Sequence, residues 1–180
     1  MNSFYTEKEL AELGLRQYGK NVLISRKCSI YSPSKISIGN NVRIDDFCIL
    51  SGEISLHSNI HIAAYCALYG ANGIEMENYT GLSARVTIYS AMDDFSGNYL
   101  ISPMNSKEYC NVTGGKILIK KYSQIGANCI IMPNVVVEEG VAVGAMALIN
   151  KTLENWGIYV GIPAKRIKER EKGLLKFVQK

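Results

Sequence analysis

The stretch Ile119-Lys120-Lys121-Tyr122-Ser123-Gln124-Ile125-Gly126-Ala127-Asn128-Cys129-Ile130-Ile131-Met132-Pro133-Asn134-Val135-Val136-Val137 returns an aliphatic residue at every sixth position: Ile119, Ile125, Ile131 and Val137. Four places after each of the first three lies a small or apolar residue, Ser123, Cys129 and Val135. The rhythm extends both ways, through Ile24, Ile30, Ile38, Ile44, Leu50, Leu56, Ile62, Leu68, Met76, Leu82 and Ile88 upstream and Val143 and Ile149 downstream. The second slot recurs at Cys28, Ser34, Val42, Cys48, Ile54, Ile60, Cys66, Thr80, Val86, Val141 and Ala147. A period of six fits neither an amphipathic helix nor a simply alternating strand. It predicts an all-β fold, a parallel β-helix whose coils each bury the anchor residue of a short strand against the coil above and below.

The chain of 180 residues is expected to form one domain over 1–180. A net charge of +4 and a pI near 8.7, with charges dispersed outside the tail, give no footprint for nucleic acid. The opening residues lack the apolar core of a signal peptide, and no stretch reaches the roughly 18 apolar residues of a membrane span, so a cytoplasmic protein is expected. Four of the five cysteines, Cys28, Cys48, Cys66 and Cys129, occupy the small inward slot and read as core residues; Cys110 lies off the register.

Within the domain, residues 1–21 are expected to form an N-terminal cap, with a short helix over 6–18 started by the capping box of Thr6 and Glu9. Residues 22–160 carry the coils. Spacings of eight at Ile30–Ile38 and Leu68–Met76 predict two-residue insertions at corners, in Ser32-Pro33-Ser34-Lys35 and Gly70-Ala71-Asn72-Gly73. The register is lost over 89–116, which predicts a long central loop, and long loops on repeat scaffolds usually carry function. Residues 161–180 are expected to form a basic C-terminal helix.

Stretches such as Ile38-Gly39-Asn40-Asn41-Val42-Arg43 and Ile125-Gly126-Ala127-Asn128-Cys129-Ile130, and the ending Gly161-Ile162-Pro163-Ala164-Lys165, resemble the hexapeptide-repeat acyltransferases over residues 22 to about 170. The resemblance implies a left-handed β-helix of three repeats per turn, assembled as a homotrimer with active sites between subunits. The loop Tyr89-Ser90-Ala91-Met92-Asp93-Asp94-Phe95-Ser96-Gly97, with Trp156-Gly157-Ile158-Tyr159, is most similar to enzymes of bacterial surface-polysaccharide synthesis, including the type that acylates dTDP-4-amino-4,6-dideoxyglucose. The function it implies is an acetyl-CoA-dependent acetyltransferase acting on a nucleotide-linked amino sugar in O-antigen or capsule synthesis. A sugar O-acetyltransferase of the galactoside or maltose type and a non-catalytic β-helix scaffold are the alternatives. The zinc carbonic anhydrase of the same fold needs three His ligands, and this chain has two; no metal is expected.

Acyl transfer from a thioester needs a nucleophile, a proton acceptor and donors for the developing oxyanion. Galactoside and maltose acetyltransferases carry a His in the loop corresponding to 89–97, and here Met92 and Asp93 stand in its place. Asp93 and Asp94 are therefore the candidate catalytic residues. Two readings compete: mutual repulsion and desolvation raising one carboxyl into the range of a useful base, or ordinary turn chemistry beside Ser96-Gly97. A neutral sugar amine is already nucleophilic, so the missing His favours N-acylation. Stacking one turn further places Glu77 above His57 and Gly81 above His61, which leaves the two histidines ordinary outward or interface roles over a catalytic one. The resemblance implies acetyl-CoA along the later coils, near Ala127, Gly144 and Ala145, with Lys151, Lys165 and Arg166 by its phosphates; turn glycines and solvated bases are the plain alternative. Tyr69, Tyr89 and Ser90 are the candidate substrate contacts, with Tyr65 and Trp156 as further aromatic surfaces.

Overall fold

The computed structural model describes residues 3–178. Each sixth-place aliphatic does point inward: Ile24, Ile44, Leu50, Ile62, Leu68, Ile88, Ile119, Ile125, Ile131 and Ile149 are completely buried in one continuous cluster. Burying a side chain of this size contributes about 1.5–3 kcal/mol. The stack of such residues, rather than any single coil, is what holds the molecule together.

The coils stack in register. Val22–Ile24, Val42–Ile44, Ile60–Ile62, Gly81–Leu82, Gln124–Ile125, Ala142–Val143 and Gly157–Val160 pair parallel, each with the next, as the rungs of one face, and we number the coils one to seven by them. A second face continues through Ser29–Tyr31, Ile49, Ala67, Thr87–Tyr89, Ile130–Ile131 and Leu148–Ile149, and a third through Gln17–Tyr18, Ile36–Ile38, Ile54, Ile74, Ile117–Ile119 and Val136–Val137. The fold is a parallel β-solenoid of about 7 turns.

Corners require left-handed backbone, and Asn accepts it more readily than other non-glycine residues. Asn21, Asn41 and Asn59 adopt φ of 54°, 55° and 61° at one corner, and their amides bond in a ladder at 3.0 and 3.2 Å. Further along the same edge the turn residues become aromatic, with Tyr79 stacked on Tyr122 at 5.8 Å. Cysteines fill the second slot for a polar as well as a steric reason. The thiols of Cys48, Cys66 and Cys129 are buried and donate to the carbonyls of Ala63, Ser83 and Gly144 one coil on, at 3.1–3.2 Å; Ser123 donates likewise to Glu138. Cys28 takes the same position but is only half-buried, and Ser34, expected inward, is exposed.

Both ends depart from expectation. The N-terminal helix covers Glu7–Glu12 only, with the Thr6–Glu9 capping box formed in both directions. The thin amide and hydroxyl contacts of that box, the Thr6 N–H first, hold the Glu9 carboxyl down to about 2. Past Gly14, at φ 70°, the chain joins the first coil and Gln17–Tyr18 pairs with Ser37–Ile38, because an open strand edge satisfies more backbone than a further helical turn. The expected C-terminal helix over 161–180 is absent from the described residues, and its last two positions lie outside them. Instead Lys165–Glu169 folds back as an antiparallel strand on Gly157–Val160, followed by a 3₁₀ turn at Gly173–Phe177. The last rung would otherwise present an unpaired edge, and the tail covers it.

The insertion at Ser32–Lys35 does form a corner, through the 3₁₀ turn Pro33–Lys35. That at Gly70–Gly73 also falls between the second and third faces, but without a break in pairing: Ala67–Met76 is one strand that runs through the corner, and the extra residues bulge between the pairs Gly52–Gly70 and Ile54–Ile74. No helix of the described residues is long and apolar enough to cross a membrane.

Candidate active site

The central excursion leaves the fourth coil after Thr87–Tyr89 and rejoins the solenoid at Ile117–Ile119. Its base is clamped. Ala91–Asp93 pairs antiparallel with Val112–Gly114, and Ser90 lies fully buried beneath them. The Ser90 hydroxyl donates to the Tyr69 carbonyl at 2.9 Å and accepts the Asn72 N–H at 2.9 Å. Ser90 is thus an internal fastening, not the substrate contact expected of it. Tyr69 and Tyr89, adjacent in register, stack at 5.3 Å and 10° at the foot of the excursion, and Tyr89 keeps an exposed face.

The two aspartates separate. The Asp94 carboxylate accepts the Ser96 N–H at 2.7 Å and the Asn111 side-chain amide at 2.8 Å, while the Asp94 N–H donates to the Asn111 carbonyl. The Ser96 contacts, with Asn111, hold the Asp94 carboxyl below its ordinary range, opposite to the rise that repulsion and desolvation would give. Asp94 therefore does turn work and fixes the shape of the loop. Asp93 sits in the short ladder opposite Val112, and among the described residues its carboxylate carries no hydrogen bond or ion pair. A half-buried carboxylate on a braced strand, with free lone pairs, is equipped to receive a proton.

A smooth corner runs beside the rungs of the first face. On successive coils it is built from Ala63-Ala64, Ser83-Ala84, Gly126-Ala127 and Gly144-Ala145. The glycines are dictated by stacking: a Cβ on Gly126 would lie 2.6 Å from the backbone of Val143 and Ala145, and one on Gly144 would meet the Val160 side chain at 2.8 Å. That demand exists without any cofactor, yet it leaves a shallow track with exposed Ala145 and half-buried Ala127. The Ser83 hydroxyl, accepting from Gln124 at 3.3 Å, lies on this track in the fourth coil. Sequence reasoning passed over Ser83, because a serine one place past an anchor residue looks like any other corner residue.

Of the cations expected at the cofactor phosphates, Lys165, paired opposite Val160, is exposed at the C-terminal end of the track; Lys151, also exposed, follows the second-face rung Leu148–Ile149 and sits at the next corner, one face away. Arg166 is already committed, to Glu154 at 3.2 Å and Glu169 at 2.6 Å. The histidines face outward: His57 bonds Glu75 at 3.0 Å and His61 bonds Asp45 at 2.8 Å. Burial pushes the Asp45 carboxyl up, but the bonds from His61 and Arg43 outweigh it and hold it below its usual range. No group of three or more His, Cys, Asp or Glu that could hold a metal is found among the described residues.

Residues 116–151 match the family model described as bacterial transferase hexapeptide (six repeats). A dTDP-4-amino-4,6-dideoxy-D-glucose acyltransferase of Escherichia coli is 43% identical over 178 residues, covering 97% of this chain and 93% of that protein. AntD, an N-acyltransferase from Bacillus cereus, is 54% identical and covers 99% of this chain and 96% of its own, with a TM-score of 0.97, in a complex with dTDP-4-amino-4,6-dideoxyglucose and Coenzyme A. It is also known bound to dTDP and 3-hydroxybutyryl-CoA, at a TM-score of 0.96. Several of its crystal structures carry replacements of one serine or of one aspartate ten positions further along. With a relative of that identity spanning nearly the whole chain, and with the repeat model matching its later coils, this protein belongs to the hexapeptide-repeat acyltransferase family.

Proposed function

We propose that the chain transfers an acetyl group from acetyl-CoA to the amine of a dTDP-linked 4-amino-4,6-dideoxy sugar in surface-polysaccharide synthesis. The observation that carries this reading is the overlay, across 99% of the chain, on an N-acyltransferase crystallised with that amino sugar and Coenzyme A. The serine and aspartate altered in that relative stand ten positions apart, and Ser83 with Asp93 is the one Ser-to-Asp pair at that separation here. On this reading the thioester lies beside Ser83, which orients the acceptor or the carbonyl. The sugar amine attacks the thioester carbon, the new C–N bond forms as the C–S bond breaks, CoA leaves as the thiolate, and Asp93 takes the proton released from nitrogen. Ala127, Gly144 and Ala145 flank the pantetheine arm, and Lys165 lies at the phosphate end, with Lys151 one corner away. Tyr69 and Tyr89 shape the acceptor side.

We further propose a homotrimer in which the excursion of one copy closes the site of its neighbour. The excursion supports this, since it leaves Phe95, Leu100, Ile101 and Met104 at least half exposed on a single chain.

Incubation with dTDP-4-amino-4,6-dideoxyglucose and acetyl-CoA should release free thiol and add one acetyl group to the sugar by mass. Turnover confined to simple sugars with hydroxyl acceptors would overturn the N-acylation reading in favour of an O-acetyltransferase.

A further inference from the structure

Six arginines occur in the chain, and five have polar partners. Arg16 meets Glu53, Arg26 meets Glu9, Arg43 meets Asp45, Arg166 meets Glu154 and Glu169, and Arg170 meets three backbone carbonyls. Arg85 stands apart. Among the described residues its guanidinium makes neither an ion pair nor a hydrogen bond; it lies over the exposed ring of Tyr65 at 5.4 Å. Tyr65 in turn stacks on Phe47 at 5.0 Å, and the Lys27 ammonium, paired with Asp46, lies over Phe47 at 5.1 Å, so the column of two rings runs toward the N-terminal coils with a cation at each end. Arg85, Tyr65 and Phe47 all hold left-handed φ of 62–64° at equivalent corners, which turns their side chains outward in one column.

A planar cation held on a ring with its donors unspent is prepared for a bidentate anion, and phosphate oxygens fit that fork. Arg85 is two residues past Ser83 on the same corner. We propose that Arg85, braced by Tyr65, binds the diphosphate of the nucleotide-sugar acceptor, and that the nucleoside extends along the exposed edges of the Tyr65–Phe47 rings.

The inference rests on the acyl-transfer site proposed at Ser83, and the spacing of the coils separates the two anionic ligands there. Pantetheine, about as long as four extended residues, spans ~14 Å. That is roughly three coil spacings of ~4.8 Å, so a thioester beside Ser83 puts the CoA diphosphate past the coil of Gly144, near Lys165. Arg85 is too far along the column to serve it. A hexose ring, in contrast, separates its anomeric phosphate from the opposite carbon by about one coil spacing (~4.8 Å), which brings the acceptor diphosphate within reach of Arg85.

Calorimetric titration of dTDP, thymidine and CoA into wild type, Arg85→Gln, Arg85→Lys and Tyr65→Ala tests the proposal. Arg85 is exposed and its side chain makes no hydrogen bond or ion pair among the described residues, so the two Arg85 variants retain the wild-type melting transition, while Tyr65→Ala, which loses its stack on Phe47, is titrated well below its own melting transition. Loss of a charge-assisted bidentate contact should weaken dTDP binding by ~10- to 100-fold in Arg85→Gln. Thymidine and CoA affinities should not change, Arg85→Lys should recover only part of the loss, and Tyr65→Ala should weaken dTDP as well. Wild type binding dTDP with Arg85→Gln equal to it would overturn this assignment alone, and so would a loss confined to CoA. Failure of wild type to bind dTDP at all would remove the nucleotide-sugar reading, and this assignment with it.

Discussion

Replacing Arg170 by Ala should loosen the C-terminal end of the solenoid. One terminal nitrogen of Arg170, Nη1, donates to the carbonyls of Tyr122 at 2.7 Å, Gly140 at 3.0 Å and Val141 at 3.3 Å, while its backbone N–H donates to Trp156. It thereby ties the returning tail to the fifth and sixth coils. The nitrogen has two hydrogens for three carbonyls, so two full bonds is the fair count. Charge-assisted bonds contribute ~1.5–3 kcal/mol each, but the side chain is only half-buried, and water replaces part of what is lost, which leaves ~2–3 kcal/mol in all. For a chain of this length each kcal/mol moves the melting temperature by about 2–4 °C, so Arg170→Ala should melt ~4–12 °C below wild type. Arg170→Lys should lose roughly half as much, since a lysine reaches one carbonyl but not both. In a stacked-repeat protein the loss is expected first as fraying of the end coil, which limited proteolysis after Lys165, Lys168 and Lys172 would detect before the main transition moves. Circular-dichroism melts of both variants that coincide with wild type within about 1 °C, together with unchanged proteolysis of the tail, would refute the strap.

At the site, Asp93→Asn should lower kcat by about 10²- to 10⁴-fold with little change in KM, as expected for removal of a proton acceptor. Asp94→Asn keeps an oxygen for the Ser96 N–H and should be far milder; steady-state thiol release separates the two, and equal losses would return Asp94 to the chemistry. The Glu75 carboxyl is held below its ordinary 4.5, first by the Lys116 ammonium at 2.6 Å. Its contribution is complete above that ordinary value and disappears as pH falls through the lower folded value. Lys116→Met should therefore be less stable than wild type at pH 7, by under about 1 kcal/mol for so exposed a pair, and the two should converge in acid denaturation profiles once pH has fallen through the lowered range of the Glu75 carboxyl. Gly126→Ala forces a methyl against the backbone of the next coil at 2.6 Å and should cost ~1–3 kcal/mol in urea unfolding.

The coil register is legible in the amino-acid sequence because it is set by burial. Every sixth residue meets the same neighbours, and the pairing of His61 with Gly81 follows from counting one turn plus an insertion. What escapes the count is decided by backbone edges and by side chains that bond across coils. The tail from Lys165 carries enough Lys, Arg and Glu to suggest a helix, but nothing local records that the last rung needs a partner strand. Thr6–Glu9 announces its helix correctly, while the end at Glu12 is set by the first coil drawing Gln17–Tyr18 into a sheet. In the site, adjacent aspartates look equivalent in one dimension. They differ in fact because Asn111, seventeen positions away, comes beside Asp94 alone when the excursion closes on itself. Ser83 falls at a corner position that holds a small residue on neighbouring coils and Arg85 at one that holds Phe47, Tyr65, Asn128 or Met146 on others, so no period singles either out; only the company they keep in three dimensions does.

The place of the interruption in the stack has a consequence for which ligand lies where. Four rungs precede the excursion on the first face, and three follow it. A track with a reacting group at the fourth coil gives the later coils to one substrate and the earlier coils to the other, each about three coil spacings of ~4.8 Å in length. The later half has a bare, small-residue surface ending in Lys165, suited to an extended arm with phosphates at its far end. The earlier half carries rings and a single unspent guanidinium beside the fourth coil, suited to a ligand whose phosphates lie close to the reacting carbon and whose base lies beyond them. Exchanging the two ligands would put phosphates beside Phe47, where the Lys27 ammonium is already paired with Asp46, and a flexible arm against Arg85, which is the reason we propose donor and acceptor at opposite ends of the solenoid.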